Sequence, residues 1–216
     1  MRNFLYLFLA VIFLNSCAKH EEVIDTSFQV GSIFCSDGSV IHPSLFAGSG
    51  KTAIGVVFWC NNGSNTSISE KGYAVALEDL ESDYLVRSAE NIPNVSEDEK
   101  AFDGAANTAS ILNFADTIPC PAVLKTVRYS PHGVSGWFIP SVAQSKLISA
   151  NVEKVYTSFK IVNGIGFDGW YWTSTEDGAG KDNPNMFGLI ASLKEGRITN
   201  SNKLLEQKIR PIISIR

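Results

Sequence analysis

Apolar positions in this chain recur with two periods, and the change of period along the sequence sketches its elements. Residues 4–14 are a continuous apolar run. Residues 28–34 then read as a short strand, closed by Ser36-Asp37-Gly38. Residues 53–60 are almost unbroken in apolar side chains, the pattern of a strand covered on both faces. A polar stretch, 61–70, leads back into a second strand at 72–77, which predicts a hairpin. Residues 80–100 are acidic and carry Pro93, so they read as an exposed excursion. Asp103-Gly104 opens onto a short helix over 107–114, and a further helix over 121–129 has Pro121 near its first turn.

The period of 3.6 is clearest in the middle of the chain. Ser141-Val142-Ala143-Gln144 has the spacing of a capping box, in which Ser141 accepts from the amide of Gln144 and Gln144 reaches back. Ile148, Val152, Val155, Tyr156 and Phe159 then fall on one helical face, and Gly164 and Gly166 stop the helix. Beyond it, 186–193 alternates as a strand and Lys194-Glu195-Gly196-Arg197 is a turn. Ile209, Pro211, Ile213 and Ile215 share one face of a last strand. Pro211 lacks an amide donor and so belongs at an edge or bulge. Helices in the middle with antiparallel strands at both ends predict an α+β domain over 28–216.

Composition agrees with one compact domain: 44% of residues are hydrophobic and 19% charged. The apolar run at 4–14 follows Met1-Arg2-Asn3 and is too short to span a bilayer, which marks 1–16 as a signal peptide. It ends in Leu14-Asn15-Ser16-Cys17, which resembles a bacterial lipobox with cleavage before Cys17 and lipid on its sulfur and new amino group. The alternative is an ordinary signal peptide cleaved near Ser16 or Ala18. A lipoprotein cysteine carries three acyl chains, enough for stable anchoring where one is marginal. Residues 17–27 are then a lipidated tether. Lys19, Glu21 and Glu22 resemble the signal that sends Bacteroidota lipoproteins to the outer face of the outer membrane, or are simply solvated. Cleavage removes Arg2 and no acid, taking the formal charge from −4 to −5. With no basic run, nucleic acid is not an expected partner. Cys35, Cys60 and Cys120 remain, either as three thiols or as one bridge and one thiol.

Two aromatic segments stand out: Gly136-Trp137-Phe138-Ile139-Pro140-Ser141 and Gly169-Trp170-Tyr171-Trp172-Thr173-Ser174-Thr175-Glu176. Trp137, Tyr171 and Trp172 flank turns and read as core, while Trp59 is ambiguous between core and surface. Together with Asp103-Gly104-Ala105-Ala106-Asn107-Thr108 before them and Arg210-Pro211 after them, these segments resemble, in order and spacing, the C-terminal domain of bacterial collagen-like adhesins. That family is a branch of the C-type lectin-like fold common in Bacteroidota lipoproteins. The resemblance covers roughly residues 30–216. It implies a small twisted antiparallel sheet closed by the terminal strands, two main helices and a long loop region. In relatives the ligand surface lies between the Tyr-Trp-Thr-Ser-Thr segment and the last strand.

The polar, Gly-rich stretch 177–185 is therefore the expected binding loop. Asp177, Lys181, Asp182, Asn183, Asn185, Asn200 and Asn202 are its candidate contact residues. Sugar-binding C-type lectins hold calcium with a carboxylate-containing triplet, for which Asn183-Pro184-Asn185 is the nearest match and lacks the carboxylate. Asp177, Asp182, Asn183 and Asn185 are the oxygen ligands on offer. No cofactor is expected, with calcium as the alternative. The reactive cysteine pair of formylglycine-generating enzymes, which share the general fold, is not visible.

Other motifs do not hold. Gly48-Ser49-Gly50-Lys51-Thr52 ends like a phosphate-binding loop, but position 45 is Leu and a strand follows instead of a helix. Gly133-Val134-Ser135 is not a nucleophile elbow, because position 137 is Trp. His20, His42 and His132 match no metal spacing, and Cys120 with His132 is a nucleophile and base in principle only. The expected function is a non-catalytic surface lipoprotein whose domain binds a glycan or a protein. A structural subunit of a fimbria-like or surface complex is the alternative, and an envelope enzyme is the third reading.

Overall fold

The computed structural model describes residues 28–63, 68–178 and 186–216. The expected leader, Cys17 and the tether, together with Lys181, Asp182, Asn183 and Asn185, lie outside the described residues. Two five-stranded sheets and five α-helices make the described part an α+β structure, as the change of period predicts. The first sheet is built from β1 (Ile33–Cys35), β2 (Val40–Ile41), β3 (Ala53–Cys60), β4 (Gly72–Ala76) and β10 (Ile212–Ile215). Its order is β10-β4-β3-β1-β2, antiparallel throughout. The second contains β5 (Leu80–Asp83), β6 (Tyr171–Glu176), β7 (Phe187–Ala191), β8 (Ile198–Asn202) and β9 (Gln207–Ile209), in the order β5-β9-β6-β7-β8. Only the β6–β9 pair is parallel. The helices are α1 (Pro43–Phe46), α2 (Gly104–Leu112), α3 (Pro121–Arg128), α4 (Val142–Ala150) and α5 (Val152–Val162).

The two sheets are joined where strands cross between them. β4 runs into β5 through residues 77–79, and β9 runs into β10 through Arg210-Pro211. Since β4 pairs with β10 and β5 with β9, both antiparallel, the two crossings lie side by side as one bent ladder. Arg210 fills the bend at 1% exposure. Its Nε donates to Asp79 Oδ1 at 2.5 Å, its Nη1 to Ala76 O at 3.1 Å and to Ile165 O at 3.0 Å. Its guanidinium also lies 4.8 Å from the Phe167 ring centre. Pro211 has no amide to donate, but its carbonyl accepts from the Ala76 amide at 3.0 Å. The single last strand expected from the sequence is therefore two strands in two sheets, parted at the proline.

Three apolar clusters form the core. One lies between the first sheet and α4 with α5, with Val56, Phe58, Tyr73, Val75, Ile148, Val155 and Phe159 among its members. A second packs α2 and α3 on the second sheet around Trp172, Ile190, Ile209, Ile111 and Val123. A third, with Ile54, Val57, Ala74, Trp137 and Ile213, covers the other face of the first sheet. β3 is thus covered on both faces, as its unbroken apolar run predicts. Trp137, Tyr171 and Trp172 are all core residues, while Trp59 is half-buried and stacks on Tyr73 with ring centres 5.3 Å apart.

Several expectations change. The helix expected after Ser141 keeps its capping box, with Ser141 N donating to Gln144 Oε1 at 2.9 Å and Gln144 N to Ser141 Oγ at 3.4 Å. It breaks, however, into α4 and α5 at Asn151, whose φ of −116° and ψ of 15° leave the helix. The Asn151 side chain bonds back to Leu147 O at 3.2 Å, the competition with backbone pairing for which asparagine is poorly tolerated in mid-helix. The apolar face survives the break, because Ile148, Val155 and Phe159 meet in one cluster. The excursion over 80–100 is not simply exposed. It forms β5 and buries Leu85, Val86 and Ile92 in the second cluster. These apolar residues are too sparse in their acidic surroundings to show a period. The expected strand at 28–34 shrinks to β1, since Gly31 turns the chain with a φ of +94°. Finally, one small sheet with two main helices is replaced by two sheets and five helices. The first and last strands share a sheet but are separated by β3 and β4, so they do not pair with each other.

Candidate functional site

The segments that carry the family resemblance meet in three dimensions as scaffold. Asn107 at the start of α2 accepts the Ser96 amide at 3.0 Å and donates to Asp103 Oδ1 at 3.0 Å. Beside it, Thr108 Oγ1 receives the Ile139 amide at 3.1 Å. Gly104 is there because nothing larger fits: a Cβ would collide with Gln144 Oε1 and lie 2.8 Å from Ile139 O. Pro140 O accepts from Ser174 N at 2.8 Å, and Val142 N donates to Thr175 Oγ1 at 3.1 Å. The start of α2, the 137–144 segment and β6 are thus locked together, and every residue of β6 is buried.

The rigid strand β6 leads directly into the candidate binding region. Asp177 follows it, 4% exposed, and its Oδ2 accepts from Asn200 Nδ2 of β8 at 2.6 Å. Asn200 is exposed, and Asp177, Asn200, Thr199, Ile198, Leu189 and Glu99 line an open depression of about 370 Å³. Glu99 on its rim is paired with Lys146 at 2.9 Å. Asn202 acts elsewhere, since its Oδ1 accepts the Leu204 amide at 2.9 Å and turns the chain out of β8. Of the seven candidate contact residues, the structure brings Asp177 and Asn200 together and gives Asn202 to a turn. The other four lie outside the described residues.

At the two ends of the 177–202 region sits a buried ion pair that sequence reasoning missed. Lys203 Nζ lies 3.3 Å from Glu176 Oε1, with side-chain exposures of 0% and 2%. Lys203 also donates to Glu90 O at 3.0 Å, and Glu176 Oε1 accepts the Ile92 amide at 2.9 Å. Among the described residues Glu176 Oε2 has no partner. Burial raises the Glu176 pKa, opposed by the Ile92 amide and by Lys203. Burial likewise lowers that of Lys203, opposed by Glu176. Burial pushes both groups toward neutrality, and each opposes that shift in the other. The pair ties the 84–97 excursion to β6 and to the end of β8, which fixes both flanks of the candidate region. Glu176 and Lys203 are 27 positions apart, and nothing local in either stretch signals a buried charge.

The remaining candidates separate cleanly. Cys120 is fully buried, His132 is exposed in a turn, and no hydrogen bond joins them. Burial raises the Cys120 and Cys35 thiols and pushes Cys60 up to about 11. All three are free thiols. Lys51 of the glycine-rich stretch, just before β3, pairs with Asp37 in the turn between β1 and β2. Among the described residues no group of three or more His, Cys, Asp or Glu is placed to hold a metal ion, and three of the four candidate calcium ligands lie outside those residues. No described helix is long and apolar enough to cross a membrane. No protein-family model matches this chain, and no curated protein matches it significantly.

Proposed function

We propose that this chain is a lipid-anchored protein of the outer cell surface, with one C-type lectin-like domain that binds a glycan or a protein without catalysis. The observation that carries this reading is the Asp177–Asn200 depression. It is a polar, open surface that begins where the buried strand β6 ends, and β6 is held by its contacts to the 137–144 segment. Recognition by loops on a rigid scaffold needs that combination. Hydroxyl-rich ligands suit it best, because Asn200 and Thr199 are exposed and offer amide and hydroxyl groups, while Asp177 accepts. The order of the four sequence motifs supports the lectin-like assignment. The lipobox-like residues 14–17 support the anchor, and Lys19, Glu21 and Glu22 support its placing on the outer face of the outer membrane.

The test is a binding screen of the lipid-free domain, residues 20–216, against mucin, plant and sulfated glycans, with calcium and again with EDTA. The expected result is a hit that Asn200→Ala weakens roughly tenfold, as for loss of one good hydrogen bond to a ligand. Loss of the hit in EDTA, restored by calcium, would show that binding needs calcium. A blank in both arms would overturn the glycan reading.

One feature favours the structural-subunit reading instead. Leu204 and Leu205, side by side in the turn after β8, are 47% and 57% exposed. If that turn is a protein contact, the lipid-free domain forms a stable oligomer that Leu205→Ser dissolves. A monomer by light scattering would reject it.

A further inference from the structure

A second concave surface lies at the opposite edge of the second sheet. β8 forms one edge of that sheet and β5 the other, and α3 packs on β5. Between them is a depression of about 510 Å³, within the range of small-molecule sites. Its apolar wall is Leu80, Pro121, Leu124 and the ring of Tyr129. Tyr129 is fixed by an edge-on contact with buried Trp137, ring centres 5.2 Å apart, so this wall is preformed.

The four charges around it, Glu81, Asp83, Lys125 and Arg128, cancel in number but not in placement, because both carboxylates sit on Lys125. Lys125 is already neutralised, since its Nζ lies 2.9 Å from Glu81 Oε2 and 2.9 Å from Asp83 Oδ2. Arg128, one turn further along α3, lines the same depression and makes no ion pair or hydrogen bond among the described residues. The last turn of a helix favours a cation there, but Lys125 already supplies one. The Tyr129 hydroxyl also makes no hydrogen bond among the described residues, and burial, the largest influence on it, keeps it protonated. An apolar wall with one unspent guanidinium is complementary to a molecule that is apolar at one end and anionic at the other.

We propose that the α3–β5 groove binds a small amphipathic carboxylate, with its aliphatic or aromatic part on Leu80, Pro121, Leu124 and Tyr129 and its carboxylate on Arg128. This site is independent of the Asp177–Asn200 surface and stands or falls separately from it.

The probe is phenylacetate, with 2-phenylethanol as its uncharged counterpart. Equilibrium dialysis of the full chain in lipid nanodiscs, against empty nanodiscs, removes partition into lipid from the reading. The expected result is saturable binding of phenylacetate with Kd on the order of 1 mM or tighter. Preference over 2-phenylethanol should be about tenfold, and hydrogen-exchange protection should appear over residues 121–129. Arg128→Gln, at an exposed position, should abolish the preference, while Leu124→Asn should weaken both ligands and Arg216→Gln neither. A melting curve establishes that each variant is folded. No binding beyond empty nanodiscs, protection elsewhere in the chain, or an unchanged preference in Arg128→Gln would each overturn the proposal.

Discussion

Replacing Lys203 with Met removes one half of the buried pair that flanks the candidate region and keeps most of its volume. Glu176 is then left 1% exposed, with the Ile92 amide at 2.9 Å as its one remaining donor among the described residues, and Glu90 O loses the Lys203 ammonium. Breaking a buried ion pair on one side costs about 3–5 kcal/mol. For a domain of this size that is a fall in Tm of roughly 6–20 °C, at about 2–4 °C per kcal/mol. The penalty also depends on pH in a defined direction. The folded-state pKa of Glu176 lies above its unfolded value of about 4.3, because burial raises it, and loss of Lys203 raises it further. A carboxyl raised in this way is least costly below its unfolded pKa, where it is protonated in both states. The cost grows as pH climbs through the folded pKa, so Lys203→Met should lose more stability at pH 8 than at pH 5. Urea titrations of the parent, Lys203→Met, Glu176→Gln and the double variant at both pH values close the cycle. The double variant should be less damaged than the sum of the singles by about 1–3 kcal/mol. A single-variant cost under about 1 kcal/mol, independent of pH, would mean that water reaches the pair, as at a surface salt bridge. That result would refute the account of how the flanks of the candidate region are held.

Two further outcomes follow from the scaffold. Gly104→Ala drives a methyl group into Gln144 Oε1 and to 2.8 Å from Ser141 N and Ile139 O, so the start of α2 must move; a lowered urea midpoint worth about 1–3 kcal/mol, with unchanged m, is expected. Cys60, half-buried with its thiol pushed up to about 11, is about one part in a thousand thiolate at pH 8; peptide mapping after iodoacetamide should show slow labelling that accelerates with pH, while buried Cys35 and Cys120 stay unlabelled until the protein unfolds.

How much of this was legible before the fold was known depends on the range of the interaction. The capping box at Ser141 and Gln144, the apolar run of β3 and the turn at 194–197 are local, and local periodicity was enough to read them. The core placement of Trp137, Tyr171 and Trp172 follows almost as directly, because large aromatic area beside turns has few other places to go. β8 was missed because Ile-Thr-Asn-Ser-Asn is polar, as an edge strand with one wet face can be. The break at Asn151 was hidden because an apolar face continues across it. In the candidate region, counting asparagines singled out Asn200 and Asn202 equally, yet one meets Asp177 across the sheet and the other closes a turn.

The sequence by itself determined the α+β class and the stretches that supply the core, because each is written in neighbouring residues. Only the tertiary structure decided that residues 207–215 serve two sheets, with Arg210 bonded across the bend to Asp79 and Ile165. It alone decided that Glu176 and Lys203 are buried against each other, with Ile92, 84 positions from Glu176, completing the contact. The physical reason is common to both. The cost of burying a charge is set by partners that arrive from distant parts of the chain, and no local pattern of residues encodes their arrival.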